Sequence, residues 1–384
     1  MSKLDELREK IDDIDGQMIA LFEKRMDVTR QVGEYKKEHE LPILDRRREE
    51  EVLAKKEAML KNKYLKTEVK DFFGSIMAIS RRQQRQLMAD CTRFEQFQQY
   101  RNAVKSAREA VKEPVVYYQG VEGAYTEEAA ALFFGEQTQR RSAATWRELF
   151  ELLMRDEADY IVVPIENNST GSINAVYDLL AEYGTHVVGE QVVKVDHCLC
   201  ALPGVALAEI KDIYSHEQGF FQSEEYLAAH AEWKQHAVLN TAAAAQMVSE
   251  RKDRSKAAVC SRRAAQLHGL EVLEEGINTS KDNFTRFFIV SKHLEIRDGS
   301  DKISLMFTLP HEPGTLNNIL GILAVHQMNM LRLESRPMPG KGWEYRFFVD
   351  VEGNLKDEEL DSVLFEILEN TLTLDILGNY KKGE

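Results

Sequence analysis

The first 35 residues place apolar side chains at Leu4, Leu7, Ile11, Ile14, Met18 and Leu21, in steps of three and four. The register continues through Val28, Val32 and Tyr35. Side chains at this spacing form one stripe along a helix. The stripe predicts a single helix of roughly 30 residues, about 45 Å long. The segment "HELP", with Pro42 as the single proline before residue 112, ends it. A second helix is expected from about Asp45 to Leu60. A third is expected from Thr67, read as its N-cap, continuing past Gln84 into "FEQFQQYRNAVKSAREAVKE". Residues 1–112 are thus all-helical and too elongated to close a compact core alone. A seam of this length buries itself against another chain.

From Pro114 the pattern changes. Short apolar runs, "PVVYYQG", "ADYIVVPIE", "HVVGEQVVKVDHCLCAL", "DIYSH", "AAVCS" and "TRFFIVS", alternate with helical stretches, which is α/β patterning. It extends over residues 113–292. "HLEIRDGS" reads as a short polar linker. A third unit, residues 300–384, runs strand, helix, strand, strand, helix, strand: "DKISLMFTL", a helix from Pro313, "MLRLESRP", "WEYRFFVDVEG", "KDEELDSVLFEILEN" and "LTLDILGNY". That order is ferredoxin-like. The chain is therefore read as multidomain.

The net charge of −14 disfavours nucleic acid and anionic membranes as partners. No apolar run reaches about 18 residues, and the charged start "MSKLDELREKIDDID" lacks the apolar centre of a signal peptide. Cys91, Cys198, Cys200 and Cys260 make no CxxC pair and no metal-ligand spacing. They read as reduced thiols of a cytoplasmic protein. No metal and no cofactor is expected.

The seam of the first helix is interrupted where periodicity asks for an apolar residue and supplies Arg25. A buried arginine is costly unless an anion meets it. Lys36 lies eleven residues on, about 16 Å along the same face. Arg8 lies seventeen residues before Arg25, roughly 25 Å away, so it reaches the same small ligand only from a second subunit. Asp45, Arg48 and Glu49 share one face of the second helix, and Ser80 and Gln84 one face of the third. With "LREKIDDID", "LFEKRMDVTRQVGEYKK", "PILDRRREEEVL" and "ISRRQQ", this segment resembles the short helical chorismate mutases, in which two chains interlace. The resemblance implies a ligand set of Arg8, Arg25, Lys36, Asp45, Arg48, Glu49, Ser80 and Gln84. The substrate, chorismate, is a dicarboxylate that rearranges to prephenate within one molecule. Catalysis then consists of holding the compact conformer and stabilising charge on the ether oxygen. Arg8, Arg25 and Arg48 are assigned to the carboxylates, Lys36 and Gln84 to the ether oxygen, and Glu49 to the hydroxyl.

In the middle segment, Asn167, Ser169, Thr170 and Gly171 follow a strand and precede a helix, as do Ser215, His216 and Gln218, and Thr241. Ligands of α/β folds gather at such strand ends. With "QGVEGAYTEEAA", "VPIENNSTGSIN", "DHCL", "YSHEQ" and "NFTRF", residues 114–292 resemble prephenate dehydratase. That family has two α/β lobes around a cleft, like a small periplasmic binding protein. Its key threonine falls on Thr285. The chain departs from the family pattern at Asn168, Glu217 and Asn240. Dehydration of prephenate releases carbon dioxide and hydroxide as the ring becomes aromatic, so Thr285 is expected to donate a proton or hydrogen bond to the leaving hydroxyl. A threonine hydroxyl is too weak an acid alone, and Glu166 and His216 are its candidate partners. Strand alternation puts Arg286 opposite Thr285, as an ion partner of Glu166 or a carboxylate clamp.

The last unit resembles an ACT domain. The resemblance places an L-phenylalanine site on Gly314, Thr315, Leu316, Asn317, Glu334, Ser335 and Arg336. The whole chain reads as a chorismate mutase fused to a prephenate dehydratase, inhibited by phenylalanine, as a homodimer or tetramer. Two other readings stay open: a helical arm that serves only dimerisation, and a non-enzymatic amino-acid sensor.

Overall fold

The computed structural model describes residues 2–39, 41, 43, 45–88, 91–338, 340, 342 and 344–383. Glu40 and Pro42 of the expected helix break, and the side chain of Cys91, lie outside what is described. The chain forms two compact units, residues 1–99 and 100–384.

In the first unit α1, Lys3–Glu38, spans 36 residues. Its start is fixed by a capping box: the Ser2 hydroxyl accepts from the Asp5 amide while the Asp5 carboxylate accepts from the Ser2 amide. Helix α2, Arg46–Met59, is capped by Asp45, whose Oδ1 accepts from the Arg48 amide at 2.9 Å. The expected cap at Thr67 is corrected. A 3₁₀ turn at Lys63–Leu65, opened by Asn62, leads straight into α3, Lys66–Met88, and Thr67 lies inside that helix. Helix α4 covers Cys91–Lys105, of which residues 91–99 belong to this unit; the expected run of the third helix through residues 89 and 90 lies outside the described residues. Helix α1 packs on α3. Gly33 permits the close approach, since a Cβ there would sit 3.0 Å from Leu87 Cδ1 and 3.1 Å from Gln84 Cγ. The remainder of the α1 seam stands open: Leu4, Ile11, Ile14 and Leu21 are each more than half exposed.

The second unit begins with a six-stranded sheet. It contains β1 (Val116–Gln119), β2 (Arg140–Ala143), β3 (Tyr160–Asn167), β4 (Gly171–Ser172), β5 (His186–Lys194) and β11 (Phe284–Ser291). The order is β2-β1-β3-β11-β5, with β4 on β3. Helices α5 (Tyr125–Phe134), α6 (Trp146–Met154) and α7 (Asn174–Tyr183) cover it. A second sheet holds β6 (His197–Ala201), β7 (Asp212–Ser215), β8 (Lys234–Ala237), β9 (Lys256–Ser261) and β10 (Glu271–Glu274), in the order β10-β6-β9-β7-β8. Its helices are α8 (Glu217–Phe221), α9 (Glu224–Ala228), α10 (Thr241–Arg251) and α11 (Arg262–Leu267). The chain leaves the first lobe after β5 and returns to it as β11. The two crossings are tied together: Asn278 accepts from the His197 amide at 2.6 Å and donates to the Val195 carbonyl at 3.0 Å. The sequence reading did not find β2, β4, β8 and β10. These are strands of two to four residues, all four with exposed positions, so they carry little apolar alternation to find.

The last sheet holds β12 (Lys302–Thr308), β13 (Met330–Pro337), β14 (Tyr345–Glu352) and β15 (Thr373–Tyr380), in the order β13-β14-β12-β15. Helices α12 (Thr315–Val325) and α13 (Glu358–Asn370) complete the βαββαβ unit. This sheet shares a core with the first lobe. Met306, Phe348, Leu377 and Tyr380 pack in one cluster with Phe150, Val163, Tyr177 and Phe288. The expected polar linker is corrected accordingly: Leu294, Glu295 and Ile296 are buried, and Glu295 accepts from the Tyr160 hydroxyl at 2.7 Å. Among the described residues no helix is long and apolar enough to cross a membrane.

Candidate active sites

The first unit contains a cavity of about 300 Å³. From α1 come Arg25, Val28, Thr29, Val32 and Lys36, at i, i+3, i+4, i+7 and i+11, a stripe along one helix face. From α3 come Met77, Ser80, Arg81 and Gln84, again at helical spacing, while Asp45, Arg48 and Glu49 line it from the start of α2. Seven of the eight residues expected from the sequence therefore surround one space. Arg8 is not among the lining residues. The Arg25 guanidinium donates to the Ser80 hydroxyl, and burial lowers its pKa. A cation penalised by burial gains from any anion placed beside it. The Lys36 ammonium donates to the Ile43 carbonyl at 2.6 Å. Gln84 is buried and its Oε1 accepts no hydrogen bond from the described residues. Arg81, which the sequence reading left without a role, pairs with the Glu49 carboxylate. Its position three residues before Gln84 was the available signal.

The second unit holds a cleft of about 520 Å³ between its two lobes. Asn167, Thr170, His216, Gln218, Thr241 and Thr285 line it. The Asn167 amide fixes the geometry. Its Oδ1 accepts from the backbone and hydroxyls of Ser169 and Thr170, at 2.6 to 3.2 Å. That commitment turns Nδ2 toward Asn283 Oδ1 at 2.8 Å and Thr285 Oγ1 at 2.9 Å. Thr285 thus accepts a hydrogen bond and retains its own hydrogen for the cleft. The His216 Nδ1 accepts from the Gln218 amide at 3.1 Å, which puts the neutral ring's hydrogen on Nε2. Ser215 is fully buried and donates to the Val259 carbonyl instead of lining the cleft. Gly171, with φ of +84°, turns the chain out of the polar loop.

Three further lining residues carried no role in the sequence reading: Tyr125, His197 and Gln222. His197 Nε2 meets Gln222 Oε1 at 2.9 Å, and Nδ1 meets the Tyr125 hydroxyl at 3.2 Å. Burial lowers the His197 pKa, so the ring is held neutral. Gln222 also donates to Ser169 at 3.3 Å. The quoted "DHCL" contained His197, but a histidine in an apolar run reads first as core. None of the described residues lining the cleft is an arginine or lysine.

One expectation is corrected by a β-bulge in β3, and a second by plain alternation along β11. Along β11 the pairing with β3 steps from Arg286↔Glu166 to Phe287↔Pro164, so Ile165 is an extra residue. A bulge re-aims the side chains beside it. Glu166 consequently faces away from the cleft, within 3.9 Å of Arg286 and 3.2 Å of Arg332. Neither Glu166 nor Arg286 lines the cleft. The carboxylate-clamp reading of Arg286 and the proton-sharing reading of Glu166 do not fit this placement. Arg286 stays fully protonated: burial opposes its charge, but the carboxylates of Glu190, Glu166 and Asp350 outweigh it and raise its pKa.

In the last sheet, Gly314 opens α12 in a left-handed conformation, with Thr315, Leu316 and Asn317 in its first turn. The Thr315 hydroxyl donates to the Pro310 carbonyl at 3.1 Å. Ser335 is exposed. Glu334 and Arg336 point toward the first lobe, where Glu334 accepts from the Ser172 hydroxyl and Arg336 pairs with Asp178 at 2.7 Å. These two charges are already engaged and do not stand free beside Gly314–Asn317.

Comparison with known proteins follows the same division. The family models of chorismate mutase type II, prephenate dehydratase and the ACT domain match residues 7–85, 116–295 and 303–369. The chain is 32% identical to the bifunctional chorismate mutase/prephenate dehydratase of Aquifex aeolicus, over 100% of this chain and 99% of that protein. It is 33% identical to the enzyme of the same name from Escherichia coli, over 97% and 95%. The solved prephenate dehydratase of Arthrobacter aurescens, a complex with L-Phe, matches with 30% identity and a TM-score of 0.64, over 70% of this chain and 90% of that one. With a helical mutase cavity, a two-lobed dehydratase cleft and an ACT sheet in this order, the chain belongs to the bifunctional chorismate mutase/prephenate dehydratase family.

Proposed function

We propose that chorismate rearranges to prephenate in the α1–α3 cavity and that prephenate becomes phenylpyruvate in the inter-lobe cleft. We assign the mutase to residues 1–112, the dehydratase to 113–292 and the regulatory domain to 300–384. At the mutase site Arg25 and Arg48 meet the substrate carboxylates, and the partner chain supplies Arg8 across the open α1 seam. Lys36 and the Gln84 amide donate to the ether oxygen, where negative charge grows. Glu49, held by Arg81, accepts from the substrate hydroxyl. The exposed seam supports a homodimer, alone or doubled into a tetramer, and the reduced cysteines fit a cytoplasmic enzyme.

At the dehydratase site the carbon–carbon bond to the ring carboxylate breaks, its electron pair enters the ring, and the hydroxyl on the opposite carbon leaves with a proton. Thr285 donates to that hydroxyl. His216, with its hydrogen on Nε2, is the group that shares the proton work. The observation that carries this reading is the hydrogen bond from Asn167 Nδ2 to Thr285 Oγ1, which leaves the threonine hydrogen free to point into the cleft. The substrate carboxylates are held by neutral donors, among them Gln218, Asn240 and Thr241 at the starts of α8 and α10. The ACT unit binds L-phenylalanine at Gly314–Asn317 and Ser335 and shifts the population toward a less active form. The test is one coupled assay, chorismate to phenylpyruvate with and without phenylalanine. In the Thr285→Ala variant, mutase turnover should stay at the wild-type level while dehydratase kcat falls about a hundredfold or more. Dehydratase activity kept within about tenfold would remove Thr285 from this role.

A further inference from the structure

We propose that Arg332, on strand β13 of the ACT unit, is a positioning residue of the dehydratase, holding the catalytic loop from behind. Side chains two apart on a strand share a face. On β13 the residues Arg332, Glu334 and Arg336 lie along one segment of the first lobe, residues 166–178. Arg332 Nη1 lies 3.2 Å from Glu166 Oε2, and its Nη2 donates to the Ser172 hydroxyl at 2.8 Å. Glu334 takes the hydrogen of that same hydroxyl. Arg336 grips Asp178 on α7. Glu166 and Ser172 are themselves paired in register, directly behind Asn167↔Gly171, the closing pair of the β3–β4 loop. That loop is the one whose Asn167 holds Thr285.

Arg332 is therefore one residue removed from the catalytic pair. The Glu166 carboxylate cannot turn into the cleft, because the bulge at Ile165 directs it toward β13. Only 11% of the Arg332 side chain is exposed, and its guanidinium rests on the Tyr177 ring, 4.9 Å from the centroid. A second link joins the neighbouring strand: Arg286, next to Thr285, lies 4.0 Å from Asp350 of β14, which also meets Lys302 at 3.3 Å. A charge taken from the middle of this set leaves Glu166 half-buried beside Arg286 alone. The loop base is then free to shift, and small displacements of reacting groups are costly in rate. Strand β13 also carries Ser335 of the proposed effector site, so the same strand that meets an effector holds the loop. This inference rests on the reading of the cleft as the dehydratase site.

The test uses the full-length enzyme, assayed for both reactions. Arg332→Met should lower dehydratase kcat about tenfold or more, with KM for prephenate changed less than about threefold. Mutase turnover, in the other unit, should stay at the wild-type level. Arg332→Lys should recover part of the loss. In a double-mutant cycle, Arg332→Met with Glu166→Gln should be no slower than the slower single variant, since the two act as one pair. Wild-type kcat in Arg332→Met, or losses that multiply in the double variant, would overturn the proposal. If Arg332→Met fails to fold, Arg332→Lys with Glu166→Gln makes the same decision. A wild-type chain that forms phenylpyruvate normally shows that the dehydratase reading stands whatever the variants do.

Discussion

The side-chain amide of Asn167 makes two commitments with its two ends. Its oxygen closes the polar loop, which turns its nitrogen toward Thr285 and Asn283. An aspartate of the same size would offer a second acceptor to Thr285 and draw its hydrogen away from the cleft. The buried histidines give the residue scale its pH signature. Burial lowers the pKa of both His186 and His197 from 6.5. Below pH 6.5 the unfolded chain takes up protons at these positions before the folded one does. Stability rises with pH wherever the unfolded state binds more protons, so it should fall as pH drops from 6.5 through the lowered folded values. Urea denaturation of the full chain at about pH 7.5 and 5.5 should show a lower midpoint at the acid pH, and His197→Gln should reduce the difference. An unchanged pH dependence in that variant would mean that His197 titrates normally.

Two elements decide how the sites are built. Helix α1 presents one stripe to its own α3 and leaves another exposed. A pair of charges on the exposed stripe, Ile11→Asp with Ile14→Asp, should cost little in the isolated chain, where both residues are over half exposed. In an interlaced dimer the same charges would be buried without partners, at several kcal/mol. Sedimentation should show dissociation, with mutase activity lost and dehydratase activity kept; a variant that remains a dimer with full mutase activity would contradict the seam assignment. The bulge in β3 is the second such element. One extra residue, Ile165, sends Glu166 to the ACT side and Asn167 to the cleft. A strand without it would face Glu166 toward the cleft and Asn167 toward the ACT sheet.

At the scale of the whole molecule, the ACT sheet is part of the dehydratase's construction. Lys302, 1% exposed, reaches Glu190 of the first lobe at 2.7 Å. The two sheets approach closely at Gly378, where a Cβ would lie 1.9 Å from the Val187 carbonyl oxygen. Gly378→Ala should therefore push β15 off β5, costing about 1–3 kcal/mol or more. Thermal unfolding with both activities followed should show the dehydratase failing first; an unchanged melting temperature would mean that the sheets separate freely. The order of the three folds, the helical stripes that gather seven mutase residues, and the strand-end positions of Asn167, His216, Thr241 and Thr285 are legible in the sequence. Those features follow from periods of 3.6 and 2, which are written locally. Packing of distant strands settled where Glu166, Glu334 and Arg336 face, and that the segment around Glu295 is buried, whereas the facing of Arg286 follows from alternation along β11. A bulge changes no composition and breaks no pattern visible over eight residues. Whether a charged side chain meets water, a substrate or another charge depends on which distant strand is laid against it.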